Sequence, residues 1–133
     1  MKFLNHQKDE SGFTLVEILV VVLILGVLLA IAIPIYLNQR IQAEIASVKS
    51  DISKASVRME TNKSLNNGVY AVGAGAPSGA SLSPNVVMAR STRVVGGSTI
   101  ACVQAYHSAH PADSKFYYDF LTKEIKTGVC PTV

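Results

Sequence analysis

The sequence is poor in charged residues. Asp, Glu, Lys and Arg make up only 16% of its 133 residues, whereas roughly 25% is usual in soluble domains, and apolar residues make up 49%. The shortage is concentrated between Ile18 and Gln39, where no charged residue occurs. This composition excludes extensive intrinsic disorder, and its uneven distribution excludes a simple soluble globule. Because the sequence contains a single run of this kind, it also argues against a multi-pass transporter.

Motifs of catalysis are also missing. The sequence has no G-x-S-x-G nucleophile elbow, no P-loop and no C-x-x-C pair. We therefore expect no catalytic residues, no enzymatic activity and no cofactor. His107 and His110 form an H-x-x-H pattern close to Asp113, but this spacing alone is weak evidence for a metal, and the segment has the character of a turn around Pro111. We predict solvated loop histidines and no metal site.

The uncharged run is long enough to cross a bilayer. Ile18–Leu37 is almost entirely aliphatic, and about 20 apolar residues in a helix span the ~30 Å hydrocarbon core. A conventional secretory signal peptide is one interpretation, with Ala30-Ile31-Ala32 as its cleavage pattern. Two features oppose it, because the preceding region has no net positive side-chain charge and the apolar run continues beyond the pattern. A plain single-pass anchor is the second interpretation, and it explains Glu17 only if this carboxylate lies in the headgroup region.

A third interpretation treats Gly12-Phe13-Thr14-Leu15-Val16-Glu17 and the apolar run through Pro34 as one motif. This stretch resembles the processing site of type IV pilins and of the pseudopilins of type II secretion. The resemblance implies a leader peptide over residues 1–12, cleavage between Gly12 and Phe13 by a prepilin peptidase on the cytoplasmic face of the membrane, and N-methylation of Phe13. It also implies that Glu17 is the acid that pilins keep inside the membrane.

The chemistry of this motif suits polymerisation. Cleavage frees a positive α-amine at Phe13, and Glu17 is negative, so that each charge is costly in apolar surroundings without a partner. Glu17 lies about one helical turn, ~6 Å, beyond Phe13, and can reach the amine of its own chain or of a neighbour. The resemblance implies the neighbour. An incoming amine would be attracted to Glu17 of a subunit already in a helical filament, which sets the axial register.

Gly26 and Pro34 interrupt the aliphatic run. Proline lacks the N–H that a helix needs, and glycine lowers helix propensity. Membrane helices tolerate both residues, which is one explanation. The resemblance favours another, in which the helix loosens between Gly26 and Pro34 when subunits pack into a filament.

Beyond Leu37 the apolar pattern becomes periodic. Asn66-Asn67-Gly68 then supplies a typical stop signal. We predict one helix of about 50 residues, from about Thr14 to about Lys63, with a transmembrane or filament-core half over 13–37 and an amphipathic half over 38–65. The apolar face of the second half recurs at steps of three and four residues and consists of Ile41, Ile45, Val48, Ile52, Ala55 and Met59.

Residues 66–133 have the character of a small β-rich head. Val69–Asn85 is punctuated by Gly and Pro and predicts a loop. Three or so antiparallel strands on the apolar face of the helix would give an α+β fold of the type IV pilin kind, with one long helix packed on a small sheet. The strands are predicted over Val86–Val95, with a break at Arg90-Ser91, over Thr99–Tyr106, after a hairpin at Gly96-Gly97, and over Lys115–Phe120.

The two cysteines, Cys102 and Cys130, both lie far beyond the apolar run. An even pair on the outer side of a membrane predicts a disulfide, and two free buried thiols are the alternative. The bridge would close a C-terminal loop and stabilise a head whose own core is small. Three segments resemble the C-terminal pattern of pilins from Gram-positive bacteria, especially actinobacteria: Cys102-Val103-Gln104-Ala105, Phe116-Tyr117-Tyr118-Asp119 and Gly128-Val129-Cys130.

Together these features predict a structural subunit of a type IV pilus. The resemblance implies a single-pass precursor in the cytoplasmic membrane that is assembled into an extracellular surface filament. Its implied partners are the prepilin peptidase, an assembly platform protein, an assembly ATPase and other copies of itself. A type II secretion pseudopilin and a DNA-uptake pilin are alternatives in the same class, and a secreted or anchored binding protein or enzyme is the alternative outside it.

Nucleic acid is a weakly supported partner. The net charge is +3, and the basic residues are scattered, so they permit such binding without arguing for it. A solvated face is the preferred explanation for Arg90, Arg93, Lys115, Lys123 and Lys126.

Overall fold

The computed structural model describes residues 12–131, which divide into two units, a first unit that ends at Asn38 and a second unit that begins at Gln39. Of the predicted leader, only Gly12 belongs to the described residues, and 1–11 lie outside them. The single long helix and the α+β fold are confirmed. The elements are one helix, α1 (Leu15–Leu65), and five strands, β1 (Gly73–Ala74), β2 (Val86–Val95), β3 (Ser98–His107), β4 (Phe116–Asp119) and β5 (Glu124–Thr127).

In the first unit, every described residue is exposed. This holds for the large apolar side chains as well. Leu15 is 80% exposed to solvent, and even Val20, the least exposed of them, is 47% exposed. Removing apolar surface from water is worth about 25 cal/mol per Å², so this part of α1 requires a lipid or protein environment. By length and composition, α1 holds the one segment among residues 12–131 that could cross a membrane.

In the second unit, the apolar face of α1 packs on the sheet. The predicted face is confirmed, because Val48, Ile52, Ala55 and Met59 are almost completely buried. Full burial of a Val, Ile or Met side chain is worth roughly 1.5–3 kcal/mol, so this face contributes substantially to the stability of the unit. The sheet contributes six inward-facing residues to the same core, namely Val86, Met88, Ala101, Val103, Ala105 and Phe116.

The stop signal after Lys63 acts as predicted, although α1 ends two residues later, at Leu65. Asn67 and Gly68 both have left-handed backbones, with φ of 51° and 83°. The Lys63 carbonyl oxygen accepts the Gly68 N–H over 2.9 Å and the Asn66 N–H over 3.2 Å, and these bonds close the last turn of the helix.

The sheet is an antiparallel meander in the order β1-β2-β3-β4-β5. Strands β2 and β3 pair along their whole length, from Val86 opposite His107 to Val95 opposite Ser98. Gly96 and Gly97 have φ of 58° and 80°, as a two-residue hairpin turn with two left-handed positions requires. The predicted hairpin is therefore confirmed.

Three details of the predicted sheet are wrong. The expected loop Val69–Asn85 contains β1, which pairs with the edge of β2. The prediction lacks β5, which pairs with β4. Arg90-Ser91 does not break β2, because the Arg90 guanidinium is satisfied at the sheet edge. It donates to the carbonyl oxygens of Gly75 and Ala71, each over 3.2 Å.

Asp51 is buried, although the sequence pattern groups it with the polar residues of α1. Its Oδ2 accepts the backbone N–H of Ser83 over 2.6 Å, and its Oδ1 accepts the Ser83 hydroxyl over 3.2 Å. Lys54 Nζ lies 3.2 Å from Oδ1 and remains largely in solvent. The carboxylate therefore anchors the loop before β2 to the helix.

Replacing Asp51 by Ala is expected to lower the free energy of unfolding by about 2–3 kcal/mol, because charge-assisted hydrogen bonds are lost and the Ser83 N–H loses its acceptor. Lys54→Ala is the matched control. It removes an exposed partner of the same carboxylate and is expected to cost less than ~1 kcal/mol. Urea unfolding of the full chain in detergent, followed by tyrosine fluorescence, measures both changes. Equal losses in the two variants would contradict the anchoring role.

Candidate assembly site

The start of α1 is held by two residues three positions apart. The Thr14 hydroxyl accepts the backbone N–H of Glu17 over 3.3 Å. In return, Glu17 Oε2 accepts the backbone N–H of Thr14 over 2.9 Å and its hydroxyl over 2.8 Å. This reciprocal arrangement is a capping box, and a negative charge at a helix N-terminus is also favoured by the helix dipole. Thr14 is not among the predicted site residues, although its T-x-x-E spacing with Glu17 is a recognised signal.

Glu17 is exposed and retains capacity for a further partner. Within residues 12–131, no Lys, Arg or His side chain lies within 4.0 Å of its carboxylate. A carboxylate offers about four acceptor positions, and Thr14 occupies only some of them. The site can therefore accept a cation from outside the described chain without giving up its cap.

Gly12 and Phe13 precede the helix. Both residues are exposed, Phe13 by 80%, and neither belongs to a helix or strand. Among residues 12–131, nothing lies within 4 Å of the point where a Cβ on Gly12 would stand. The peptide bond between them is therefore open to a protease. Cleavage there and methylation of Phe13 stay predictions.

Gly26 and Pro34 lie inside an unbroken helix. Pro34 has no N–H to donate to the Ala30 carbonyl, so one helical hydrogen bond is missing at this point. A Cβ on Gly26 would meet no other described residue within 4 Å. The helix of the single chain continues through both positions, and loosening upon packing stays a prediction about the filament.

A disulfide joins Cys102 of β3 to Cys130 in the C-terminal tail, with the two Cα atoms 6.0 Å apart. Both cysteines are buried. The Cys130 N–H also donates to Gln104 Oε1 over 2.9 Å. Because Cys102 and Gln104 are two residues apart on one strand, they hold the tail at two points on the same face of β3.

The methylation motif predicted at the start of the chain matches a family model. The model is described as the prokaryotic N-terminal methylation motif and covers residues 7–33, which include Gly12, Phe13 and Glu17. A probable minor fimbrial protein from Dichelobacter nodosus is 35% identical over 100 residues, which are 66% of this chain and 62% of the relative. A type IV major fimbrial protein from the same organism is 40% identical over 52 residues, or 39% of this chain and 33% of the relative. The type II secretion system core protein G of Pseudomonas aeruginosa is 39% identical over 65 residues, or 49% of this chain and 45% of the relative.

The chain is similar to type IV pilins. Its methylation motif, its relatives and its fold of one long helix on an antiparallel sheet agree on this point. The matches span between a third and about three fifths of the length of these relatives. No solved structure matches the pilin-like chain significantly.

The basic residues of the pilin-like head are only partly free for a ligand. Arg93 donates to Asp119 Oδ2 over 2.8 Å, and both side chains are largely buried. Arg90 is bound to two backbone carbonyls at the sheet edge. Lys115 and Lys123 are exposed. Two of the five candidate residues, Arg90 and Arg93, therefore already have hydrogen-bond partners within the protein. This further weakens the support for nucleic-acid binding.

The prediction of solvated histidines is wrong for the pilin-like head. His107 ends β3 on its inward face and is only 6% exposed, because alternation along the strand turns it towards the helix. His110, in the turn that follows, is partly covered. Both imidazoles face the same carboxylate, that of Glu44 on α1.

Proposed function

We propose that the chain is a structural subunit of a type IV pilus that polymerises through the first part of α1. The observation that supports this most directly is the exposure of all large apolar side chains between Phe13 and Leu37. The later apolar face of the same helix is already buried by the head. An apolar surface of this extent is unstable in water. The bilayer would cover it in the precursor, and other copies of the chain would cover it in a filament.

The proposed path begins with a single-pass precursor in the cytoplasmic membrane. A prepilin peptidase removes residues 1–12, and the new amine of Phe13 is methylated. The positive amine of one subunit then pairs with Glu17 of another, and an assembly platform with its ATPase drives extraction into the extracellular fibre. Residues 13–37 form the fibre core, 38–65 carry the head, and 66–133 form the head itself. The role is structural and involves no catalysis or cofactor.

The mature N-terminus tests this path. Mass spectrometry of protein from purified surface fibres is expected to find Phe13 first, with one methyl group on its amine. An N-terminus at Ile33 would indicate conventional secretion, and one at Met1 a plain anchor, and either would contradict the proposal. Gly12→Val is expected to leave the leader attached, because a branched side chain obstructs a protease at this carbonyl. Gly26→Ala is the matched control, and it is expected to be processed normally because its Cβ meets open space.

A type II secretion pseudopilin is the second candidate. The 39% identity to the core protein G of Pseudomonas aeruginosa favours it. Deletion of the gene distinguishes the two functions. Loss of surface fibres in electron micrographs supports the pilus subunit, whereas loss of protein export with fibres intact supports the pseudopilin. A transformation assay on the same strain tests the DNA-uptake alternative.

A further inference from the structure

The turn that follows α1 places an asparagine directly before a glycine, at Asn67-Gly68, and the sequence contains no other Asn-Gly pair. Both residues are exposed, and both have left-handed backbones. A Cβ on Gly68 would meet no other described residue within 4 Å. The peptide bond between the two residues is therefore open to water, and nothing around it crowds a change in its covalent structure.

An asparagine in this setting can lose its side-chain amide by a reaction with its own main chain. The nitrogen of the next residue gives up its proton and forms a bond to the side-chain Cγ, and ammonia leaves, so that a succinimide ring remains. Water then opens the ring. If the bond from the nitrogen to Cγ breaks, the product is aspartate. If the bond from the nitrogen to the main-chain carbonyl carbon breaks, the chain continues through Cγ as isoaspartate.

The end of α1 restrains the nitrogen that would attack. The Gly68 N–H donates to the Lys63 carbonyl oxygen over 2.9 Å. While this bond is made, the N–H is directed at the helix and its proton is held there. The last turn must therefore open before the nitrogen can reach the Asn67 side chain. Helix ends open at a much lower free energy than the whole fold, so the reaction is slowed without being blocked.

Asn85 provides an internal comparison. It is also exposed and left-handed, with φ of 62°. Its successor is Val86, which is buried in the core and whose N–H donates to the Ser83 carbonyl oxygen over 3.2 Å. A ring at Asn85 would include the nitrogen of a branched core residue and would require that residue to move. Asn66 is exposed, but its successor is Asn67 rather than glycine. Only at Asn67 do exposure and an unhindered successor coincide.

Tyr70 ties the turn to the helix. Its hydroxyl donates to Glu60 Oε1 over 2.9 Å and accepts a hydrogen bond from Lys63 Nζ over 3.2 Å. Its ring packs edge to face on Phe120, with the ring centroids 5.3 Å apart. Because Tyr70 follows Gly68 by two residues, these contacts limit how readily the turn opens.

We infer that Asn67 is a site of deamidation whose rate is set by the opening of the last turn of α1. Besides the chain itself, the reaction needs only water. It places a carboxylate beside the C-terminus of a helix, where the helix dipole disfavours negative charge. The isoaspartate product also lengthens the main chain before Gly68 by a methylene group, which displaces the N–H that Lys63 binds. Modification therefore loosens the turn between α1 and β1. It concerns the second unit alone and does not depend on the proposed filament.

Peptide mapping by mass spectrometry tests the site. The full chain is incubated in detergent and ¹⁸O-labelled water at mildly alkaline pH. Trypsin cuts after Lys63 and Arg90, so that one peptide contains Asn66, Asn67 and Asn85. Most of the deamidation in this peptide is expected at Asn67, as separable aspartate and isoaspartate forms that each carry one oxygen from the water. Asn67→Gln is expected to lose this signal, because a longer side chain would have to close a larger ring. Asn85→Gln is the matched control and is expected to retain it.

Tyr70→Phe tests the restraint. It keeps the ring and removes the hydroxyl that ties the turn to the helix. The rate of deamidation at Asn67 is expected to rise by about three- to tenfold, the factor that corresponds to one lost hydrogen bond of ordinary net strength. Tyr106→Phe, which removes a hydroxyl from β3 instead, is the matched control and is expected to leave the rate unchanged.

Four results would overturn this inference. They are an unmodified Asn67, aspartate without isoaspartate, equal deamidation at Asn67 and Asn85, and an unchanged rate in Tyr70→Phe. If Tyr70→Phe fails to fold, the wild-type chain decides instead. Its rate of deamidation at Asn67 is expected to be higher after unfolding in guanidinium chloride than in the folded state at the same pH. Equal rates in the two states would show that the helix end exerts no restraint.

Discussion

Replacing Glu17 by Leu is expected to abolish filament growth and to leave membrane insertion unchanged. Insertion depends on apolar content, which this substitution increases. Growth depends on the carboxylate, because an α-amine buried among apolar helices without a counter-charge costs several kcal/mol. The measurement is the number of surface fibres in electron micrographs, together with the amount of the chain in the membrane fraction.

Two further variants separate the charge of Glu17 from its role as a helix cap. Glu17→Gln keeps an acceptor that serves in capping boxes and removes the charge. Thr14→Ala removes the capping hydroxyl, at a cost of about 1 kcal/mol to the helix, and keeps the charge. If the charge drives assembly, Glu17→Gln loses fibres and Thr14→Ala retains them. The reverse result would assign the effect to the cap, and normal fibres from Glu17→Leu would exclude any role for this residue in assembly.

The helix and the first hairpin could be predicted because their signals are local. Residues such as Val48 and Ile52 recur at helical spacing, and burial follows directly from that periodicity. Gly96-Gly97 fixes the register of β2 and β3. A two-residue turn with two left-handed positions strongly favours glycine, so the pair marks where the turn lies and which residues on either side of it are paired. In both cases the residues that specify the structure are neighbours in the chain.

The outer strands could not be predicted, because main-chain pairing defines them. β1 has two residues and depends on Gly73 lying opposite Arg90. β5 has four residues, and Thr127 lies opposite Phe116. Strands this short carry too few side chains to produce an alternating pattern. Their hydrogen-bond partners are main-chain groups of a neighbouring strand, which any side chain leaves available, so the pairing has no signature in the sequence.

The burial of a carboxylate on α1 cannot be predicted from helical periodicity, because it also depends on contacts outside the helix. Asp51 adjoins the apolar face of α1, and its burial depends on donors from Ser83, 32 residues away. Glu44 meets His107 and His110 only through the topology of the sheet. The N-terminal methylation motif could be predicted, by contrast, because Gly12, Phe13 and Glu17 lie together in a short linear segment.

Removing the disulfide by the double substitution Cys102→Ser and Cys130→Ser is expected to lower the free energy of unfolding by about 3–4 kcal/mol. The bridge spans 28 residues, and closing a loop of that length restricts the unfolded chain by about this amount. The loss is large for the second unit, because the hydrophobic core that its described residues form consists of ten buried side chains, four from α1 and six from the sheet. Urea unfolding of the full chain in detergent, followed by tyrosine fluorescence, measures it because the chain has no tryptophan and five tyrosines.

The C-terminal tail is attached to β3 by the disulfide and also by the hydrogen bond from the Cys130 N–H to Gln104. The variant Gln104→Ala separates the contribution of this hydrogen bond from that of the disulfide. This variant removes the acceptor of the Cys130 N–H and keeps the bridge, so it is expected to cost only about 1 kcal/mol. Reduction of the wild-type chain is expected to reproduce the loss seen in the double variant, because both remove the same restriction on the unfolded state. If the double variant were no less stable than Gln104→Ala, the tail would be held by its hydrogen bond and packing. The bridge would then contribute nothing measurable to the stability of the head.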